Sequence, residues 1–194
     1  MHQGEARELT PSPPRTGTPP RIVIRRIRPD EGGLLRDLRL RSLADAPLAY
    51  GQTLAEAFAE PDAAWAEAAR SGARGPRRLW IIAERVDPDG RRTPVGIATG
   101  RRRMPETLLI FSVWVDPAAR RRGVMRRLID ATERWAARTG AHRTLLWVLA
   151  ANEEALAAYR ALGFTTETGT EDAERGAAFR ALALTRPIAR GREP

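Results

Sequence analysis

The sequence predicts one mixed α/β domain with a central mixed, mostly antiparallel sheet that is flanked by helices. The predicted elements follow the order β-α-α-β-β-β-α-β-α-β-β, which combines an antiparallel meander with helical crossovers. At 194 residues the chain is long enough for one well-buried core, and a second domain is not expected. We predict a disordered N-terminal tail at residues 1–20, a domain at 21–186 and a C-terminal tail at 187–194.

The first predicted elements are a strand and a helix. Residues 21–28 read RIVIRRIR, a short run with β-branched residues that predicts a strand, and Pro29 ends it. We expect Asp30 to cap the following helix. Four leucines lie at helical spacing in that helix, namely Leu34, Leu35, Leu38 and Leu43.

A second helical region follows the loop at residues 46–51. Thr53 and Glu56 fit a capping box that opens a helix, and Pro61 predicts a break before the pattern restarts through Trp65. The stretch 71–78 is rich in Gly, Pro and Arg, which indicates a linker.

A strand meander forms the middle of the chain. We predict strands over 79–86 and 93–102, joined by a tight turn at 87–90. Gly96 lies inside the second of these strands and suggests a bulge. Residues 108–115 are apolar on both faces, which is typical of a central strand.

Helices and strands alternate in the last third of the chain. A helix follows Gly123 and ends near Gly140, and a short apolar strand covers 144–149. Asn152 can cap the next helix, which Gly163 ends. The last strands are predicted at 165–168 and 179–184.

Composition excludes several functional classes. The chain has no cysteine and only two histidines, so disulfides, thiol nucleophiles and a metal site are not expected. No apolar run approaches the length of a membrane span, and the N-terminus lacks a secretory pattern, so we expect a cytoplasmic protein with no membrane partner. The net charge is +9 and there is no lysine, so arginine alone supplies the basic side chains.

The stretch from Val113 to Arg127, VWVDPAARRRGVMRR, has the features of an anion site. An apolar strand ends at Asp116, three arginines lead to Gly123, and a helical pattern begins. The first N–H groups of a helix have no intrahelical partner, and the helix dipole places partial positive charge there. We therefore predict that this turn binds a phosphate or pyrophosphate group.

Two motifs in this sequence resemble those of the GCN5-related N-acetyltransferases. Residues 120–125, RRRGVM, resemble the pyrophosphate loop of that family, Gln/Arg-x-x-Gly-x-Gly/Ala, with Met125 in place of the usual Gly or Ala. Residues 152–164 resemble its second signature, in which Asn-x-x-Ala is followed by Tyr and Leu-Gly-Phe. The two motifs occur in the family's order with a strand between them.

The resemblance implies transfer of an acetyl group from acetyl-CoA to a primary amine by direct attack in a ternary complex. It also implies that strands 108–115 and 144–149 form a splayed parallel pair, and that Tyr159 protonates the leaving thiolate. The implied cofactor-binding residues are Val113, Trp114, Val115, Arg120, Arg121, Arg122, Gly123, Val124, Met125, Arg126 and Asn152. The implied substrate residues are Tyr50, Gly51 and Ser112.

The general base and the acceptor stay open at this point. Glu106, Ser112 and Glu84 are candidate bases, and a water relay is an equal alternative. The acceptor is a small-molecule or peptide amine, and either a monomer or a homodimer is compatible with the sequence.

Two other functions compete with the transferase. Eight arginines lie between Arg101 and Arg127, so a basic nucleic-acid-binding module is possible, but no helix-turn-helix, zinc-finger or RRM signature supports it. A catalytically degenerate CoA-binding sensor is the other alternative, and Met125 is the residue that supports it.

Overall fold

The structure is a computed structural model that describes residues 19–167 and 181–189. The strands are β1 (Arg21–Arg26), β2 (Arg78–Val86), β3 (Arg92–Met104), β4 (Thr107–Val115), β5 (Arg143–Leu149), β6 (Thr165–Thr166) and β7 (Ala181–Pro187). The helices are α1 (Gly32–Asp45), α2 (Leu54–Ala59), α3 (Asp62–Arg74), α4 (Val124–Ala137) and α5 (Glu153–Ala161).

The strands form one seven-stranded sheet in the order β1-β2-β3-β4-β5-β7-β6. All neighbouring strands are antiparallel except β4 and β5, which are parallel. This confirms the predicted fold class. The β4–β5 pairing covers only Thr107 with Arg143, Leu108 with Thr144 and Leu109 with Leu145. Beyond these pairs the two strands separate, and the rest of each strand has no partner on the facing edge among the described residues.

Helices cover both faces of the sheet. One apolar cluster lies between the sheet and helices α4 and α5, and includes Leu128, Ile129 and Leu156. A second cluster joins α1, α2 and α3 to the opposite face, with Leu35 and Leu38 fully buried in it. The separation of β4 from β5 therefore opens between two packed layers.

The start of α1 differs from the prediction. The N-cap residue is Glu31 rather than Asp30, and no side chain caps the helix. The Glu31 carboxylate instead accepts hydrogen bonds from the guanidinium of Arg25, at 2.7 and 2.8 Å, and from the backbone N–H of Arg28, at 2.8 Å. The ion pair with Arg25 in β1 thus fixes how the chain enters the helix, which local spacing alone did not indicate.

The predicted linker at 71–78 is shorter in the structure, because α3 continues to Arg74. Gly72 lies inside the helix where it passes over Trp80 of β2. A Cβ atom at this position would lie 2.2 Å from Cδ1 of Trp80. The glycine therefore permits close helix–sheet packing here rather than ending the helix.

Most other predicted elements are confirmed, with shifts of one to four residues at their ends. Thr53 and Glu56 form the predicted capping box, and Asn152 caps α5. The last strand continues to Pro187, and Ile188 is buried in the core. The predicted N-terminal tail lies outside the described residues up to position 18, as does Phe179 at the start of the last predicted strand.

Within the described ranges, no helix combines the length and apolar character needed to cross a bilayer. The same part of the chain contains no group of three or more side chains suited to holding a metal ion.

Candidate active-site cleft

A cleft of about 1460 Å³ opens where β4 and β5 separate. It is bounded by both strands, the loop before α4, helix α5 and the segment between α1 and α2. All but one of the predicted site residues line it, namely Tyr50, Gly51, Ser112, Val113, Trp114, Val115, Arg120, Arg121, Gly123, Val124, Met125, Arg126, Asn152 and Tyr159. Arg122 is the exception, because it is exposed and does not line the cleft.

A bulge in β4 shapes the centre of the cleft. In the register with β3, Trp114 faces Ile97 and Phe111 faces Thr99, so Ser112 and Val113 together face one residue. Ser112 has φ = 51°, a left-handed conformation that L-residues rarely adopt. The bulge bends the strand and contributes to its departure from β5.

The carbonyl groups of the bulged strand already accept hydrogen bonds from the protein. The Tyr50 hydroxyl donates to the Val113 carbonyl oxygen at 3.2 Å. The Arg120 Nε donates to the Val115 carbonyl oxygen at 3.0 Å. Each carbonyl oxygen keeps one further lone pair for a ligand.

The start of α4 provides an anion site at one end of the cleft. Gly123 is the N-cap residue with φ = 72°, no side chain caps the helix, and the first turn contains no acidic residue. By contrast, side-chain oxygens cap α2 and α5. The uncapped N–H groups of α4, together with Arg121 and Arg126 on the cleft wall, suit a pyrophosphate.

Arg120 differs from its neighbours because protein groups occupy its guanidinium. Besides the bond to Val115, it forms an ion pair with Asp45 at the end of α1. Asp45 also accepts a hydrogen bond of 2.9 Å from the indole nitrogen of Trp114. Arg120 therefore fastens the loop to α1 and β4, and its charge is already neutralised. Trp114 itself is buried in the second cluster.

Met125 is half-buried and packs against the core between the sheet and α4. It also lines the cleft in the first turn of the helix. The side chain thus contributes an apolar surface at the position where the related motif has Gly or Ala.

Asn152 and Tyr159 approach the cleft from α5. The Asn152 side-chain oxygen accepts a hydrogen bond of 3.0 Å from the Ala155 N–H, so this oxygen is used as the helix cap. The Tyr159 ring packs edge-on against Phe164, with ring centroids 5.5 Å apart. Within the described ranges its hydroxyl forms no hydrogen bond. Burial raises the pKa of Tyr159 well above its usual value near 10, and interaction with Tyr50 adds to the increase.

The segment between α1 and α2 forms the other end of the cleft. The Tyr50 ring lies under the guanidinium of Arg39, whose central carbon is 4.5 Å from the ring centroid. Arg39 donates from Nε to the side-chain oxygen of Gln52 at 3.1 Å.

An aromatic pair lies on the two strands that border the cleft. Phe111 of β4 and Trp147 of β5 stack on each other with centroids 6.3 Å apart, and both line the cleft.

Two of the candidate bases lie outside the cleft. The Glu84 carboxylate is bound by Arg25 at 2.7 Å and by Arg92 at 2.9 Å. Glu106 is an exposed turn residue whose carboxylate lies 3.3 Å from Nε2 of His142. Ser112 is the remaining side-chain candidate that lines the cleft.

Sequence reasoning missed Arg39, Asp45 and Gln52 at this end of the cleft. Arg39 carried a detectable signal, because it lies four residues after Leu35 and four before Leu43, on the buried stripe of an amphipathic helix. A charged residue on such a stripe indicates a special environment. Asp45 and Gln52 carried no comparable signal.

Comparisons with known proteins agree with this arrangement. The sequence model of the acetyltransferase (GNAT) family matches residues 42–164, which is more than half of the chain. No curated protein sequence matches the chain significantly.

Solved structures share the fold at low sequence identity. An acetyltransferase of the GNAT family from Streptococcus pneumoniae has a TM-score of 0.67 at 18% identity, with 87% of this chain and 100% of that chain covered. A putative acetyltransferase from Salmonella typhimurium, solved with acetyl-CoA, has a TM-score of 0.63 at 18% identity, with 90% and 98% covered. Spermidine N-acetyltransferase from Vibrio cholerae, solved with CoA and spermine, has a TM-score of 0.65 at 13% identity, with 86% and 95% covered.

The sheet with its separated parallel strands is the fold that these solved acetyltransferases share. With the family match over 42–164, the chain belongs to the acetyltransferase (GNAT) family.

Proposed function

We propose that this protein is an N-acetyltransferase that moves the acetyl group of acetyl-CoA to a primary amine by direct attack in a ternary complex. The observation that carries the proposal is the cleft between β4 and β5, which has an anion site at the start of α4 and a buried phenol on its wall. Structural relatives solved with CoA or acetyl-CoA support the choice of cofactor.

The cofactor would lie along the cleft. Its pyrophosphate would bind the free N–H groups around Gly123 to Arg126, with Arg121 and Arg126 supplying charge. The facing edges of β4 and β5 would hydrogen-bond the pantetheine arm in the manner of an added strand. We assign Arg120 the role of holding this loop in place, because its guanidinium is bound to Asp45 and Val115.

Tyr159 would act as the general acid. Acetyl transfer breaks the C–S bond of the thioester and forms a C–N bond, so the leaving thiolate needs a proton and the attacking amine loses one. The raised pKa of Tyr159 keeps its phenol protonated at neutral pH, and its hydroxyl has no competing partner within the described ranges. The first property keeps the proton on the phenol, and the second leaves the hydroxyl free to donate to sulfur.

The amine would lose its proton to water in the cleft. Glu84 and Glu106 lie outside the cleft, and a neutral serine is a poor base, so Ser112 is better suited to positioning. Deprotonation at pH 7 costs about 1 kcal/mol for a peptide α-amine with a pKa near 7.7 and about 4–5 kcal/mol for an amine with a pKa near 10.4, so the basicity of the acceptor sets how much the water relay must supply.

Calorimetry with acetyl-CoA tests the cofactor half of the proposal. We expect Arg126→Ala to weaken acetyl-CoA binding about fivefold, the factor for about 1 kcal/mol. Arg122→Ala is the matched control, because Arg122 carries the same charge four residues earlier, just before α4, but does not line the cleft. The control should bind as wild type does.

Thiol release from acetyl-CoA against a panel of amines tests the catalytic half. Turnover with at least one amine supports the transferase. Acetyl-CoA binding without turnover of any amine would instead favour the CoA-sensing function. If acetyl-CoA does not bind at all, the proposal is wrong.

A further inference from the structure

Arg39 is a buried cation without an acidic partner. The residue is only 7% exposed on the inner face of α1, and it lines the cleft. Its Nε bonds to Gln52 and its guanidinium stacks on Tyr50, but its Nη1 is buried with no hydrogen-bond partner. No carboxylate lies within salt-bridge distance of it among residues 19–167 and 181–189.

A buried, unpaired guanidinium is costly, because desolvation disfavours the charged form. The pKa of Arg39 is accordingly lowered by burial, while the Tyr50 phenol opposes the change. The nearby acid of the cleft, Asp45, cannot compensate, because Trp114 and Arg120 already bind its carboxylate. This end of the cleft therefore carries an uncompensated positive charge that faces a ligand space.

We propose that Arg39 binds a carboxylate of the acceptor, so that the acceptor is a small amino acid in which amine and carboxylate belong to the same molecule. This inference rests on the proposed transferase function and names its substrate class. A guanidinium binds a carboxylate through paired, charge-assisted hydrogen bonds. Among the described residues Arg39 uses only its Nε as a side-chain donor, so its two Nη groups have no protein partner.

Tyr50 connects Arg39 to the strand edge. Its ring packs against the Arg39 guanidinium, and its hydroxyl donates to the Val113 carbonyl in the β4 bulge. The guanidinium and the strand edge beside which the thioester would lie thus contact the same side chain. We expect an amine only a few bonds from its carboxylate to span these two points. The stacked Phe111 and Trp147 offer an apolar surface for the remaining side chain.

The same charge disfavours polycationic acceptors. A polyamine would place a second ammonium near Arg39, and like charges in a partly desolvated site repel each other. We expect polyamines to be poor substrates of this protein.

The experiment compares each amino acid with its carboxamide, in which an uncharged amide group replaces the carboxylate. Binding to CoA-loaded protein is measured by calorimetry, and kcat/KM by thiol release from acetyl-CoA. Wild type should prefer the acids by about 10- to 100-fold, the range expected for charge-assisted hydrogen bonds. The less basic amine of the carboxamide works against this preference, which makes the comparison stringent.

Three variants locate the effect. Arg39→Gln should lower binding and kcat/KM for the acids by about 10- to 100-fold, leaving the carboxamides and acetyl-CoA affinity unchanged. Arg39→Lys keeps the charge and should recover part of the preference. Arg36→Gln is the matched control, because Arg36 lies one turn earlier in α1 and does not line the cleft.

The outcomes separate this inference from the proposed function. Equal binding of acids and carboxamides by wild type would overturn the carboxylate site, even if the amines are acetylated. Loss of acetyl-CoA affinity in Arg39→Gln would also overturn it, because Arg39 would then serve the cofactor. If acetyl-CoA does not bind wild type, the transferase proposal fails, and the acid-versus-carboxamide binding without CoA still decides on the anion site.

Discussion

Tyr159 combines a buried phenol with a hydroxyl that is free of protein partners among the described residues. Its ring is held edge-on by Phe164, so the hydroxyl position is fixed by packing rather than by hydrogen bonds. Because burial raises its pKa, the group stays protonated over the whole range in which amines become deprotonated.

Tyr159→Phe should lower kcat by about 10²-fold or more, a typical contribution of general acid catalysis, and leave acetyl-CoA affinity unchanged. In wild type, kcat should rise with pH as the amine loses its proton and should show no decline below about pH 10. Steady-state thiol release from pH 6 to 10 checks both statements. A decrease in kcat below pH 10 that is absent from the Tyr159→Phe variant would show that the phenol loses its proton in this range, contrary to this account.

At the residue scale, sequence could identify candidate site residues only where they lie in one short motif. The loop before α4 and the motif on α5 each lie in one short stretch, and the structure brings both to the same cleft. Arg39 and Asp45 were missed because they reach the cleft only through the packing of α1 against β4. Glu84 was considered as a base, but sequence did not reveal its partners, Arg25 and Arg92, on neighbouring strands.

At the scale of single elements, the loop before α4 stores backbone strain. Arg121 has φ = 60°, a left-handed conformation that glycine adopts freely and L-residues adopt at a cost of about 1–2 kcal/mol. The strain places an arginine on the cleft wall just before the helix begins. The loop thus keeps a charged side chain at a position whose left-handed backbone conformation glycine would adopt without strain.

Comparing Arg121→Gly with Arg121→Ala separates strain from charge. Both variants should lose acetyl-CoA affinity to a similar extent, since both remove the guanidinium. The glycine variant should be about 1 kcal/mol more stable than the alanine variant, because it relieves the left-handed backbone. Urea unfolding and calorimetry measure the two effects. Equal stability of the two variants would mean that the backbone relaxes at this position.

Element identities were predictable because helical and strand periodicities are clear in this chain. The residues at which the elements begin and end were less predictable, because tertiary contacts determine them. The ion pair with Arg25 displaced the α1 cap from Asp30 to Glu31, and close packing against Trp80 carried α3 through Gly72. Neither contact is visible in a local window of sequence.

At the scale of the whole molecule, a buried ion cluster joins the first three strands of the sheet. Glu84 of β2 is bound by Arg25 of β1 and Arg92 of β3, and its side chain is only 5% exposed. Hydrogen bonding from Arg25, followed by that from Arg92, lowers the pKa of Glu84 despite its burial. A carboxyl group with a lowered folded-state pKa stabilises the fold above its unfolded pKa, and that contribution is lost as the pH falls through the folded value.

Glu84→Gln should therefore lower the free energy of unfolding by about 2–4 kcal/mol at pH 7. The difference from wild type should shrink as the pH falls below about 4.3, the unfolded pKa of a glutamate, and through the lowered folded-state pKa of Glu84. Urea titrations at several pH values measure this trend. Glu67→Gln, which removes an exposed pair with Arg70, is the control and should change stability by less than about 0.5 kcal/mol. A gap between Glu84→Gln and wild type that is constant with pH would assign the loss to packing instead.

Sheet architecture was predictable as a class, since the order of elements indicates a meander joined to a helical crossover. The order of the strands in the sheet and the number of residues paired between neighbouring strands were not predictable, because both depend on long-range register. The three-pair contact between β4 and β5 in particular has no local sequence signal.

That contact has a consequence for the lifetime of the protein in a cell. Among the described residues, the β5–β7 part of the sheet is attached to the β1–β4 part at only three residue pairs, and the facing backbone edges beyond them have no strand partner. A ligand that fills this gap and binds only the folded chain raises the free energy of unfolding with the logarithm of its concentration. We expect the protein to resist proteolysis and hydrogen exchange at these strands in proportion to the supply of its own cofactor. Metabolic state would then set not only how fast the protein works but how long it lasts.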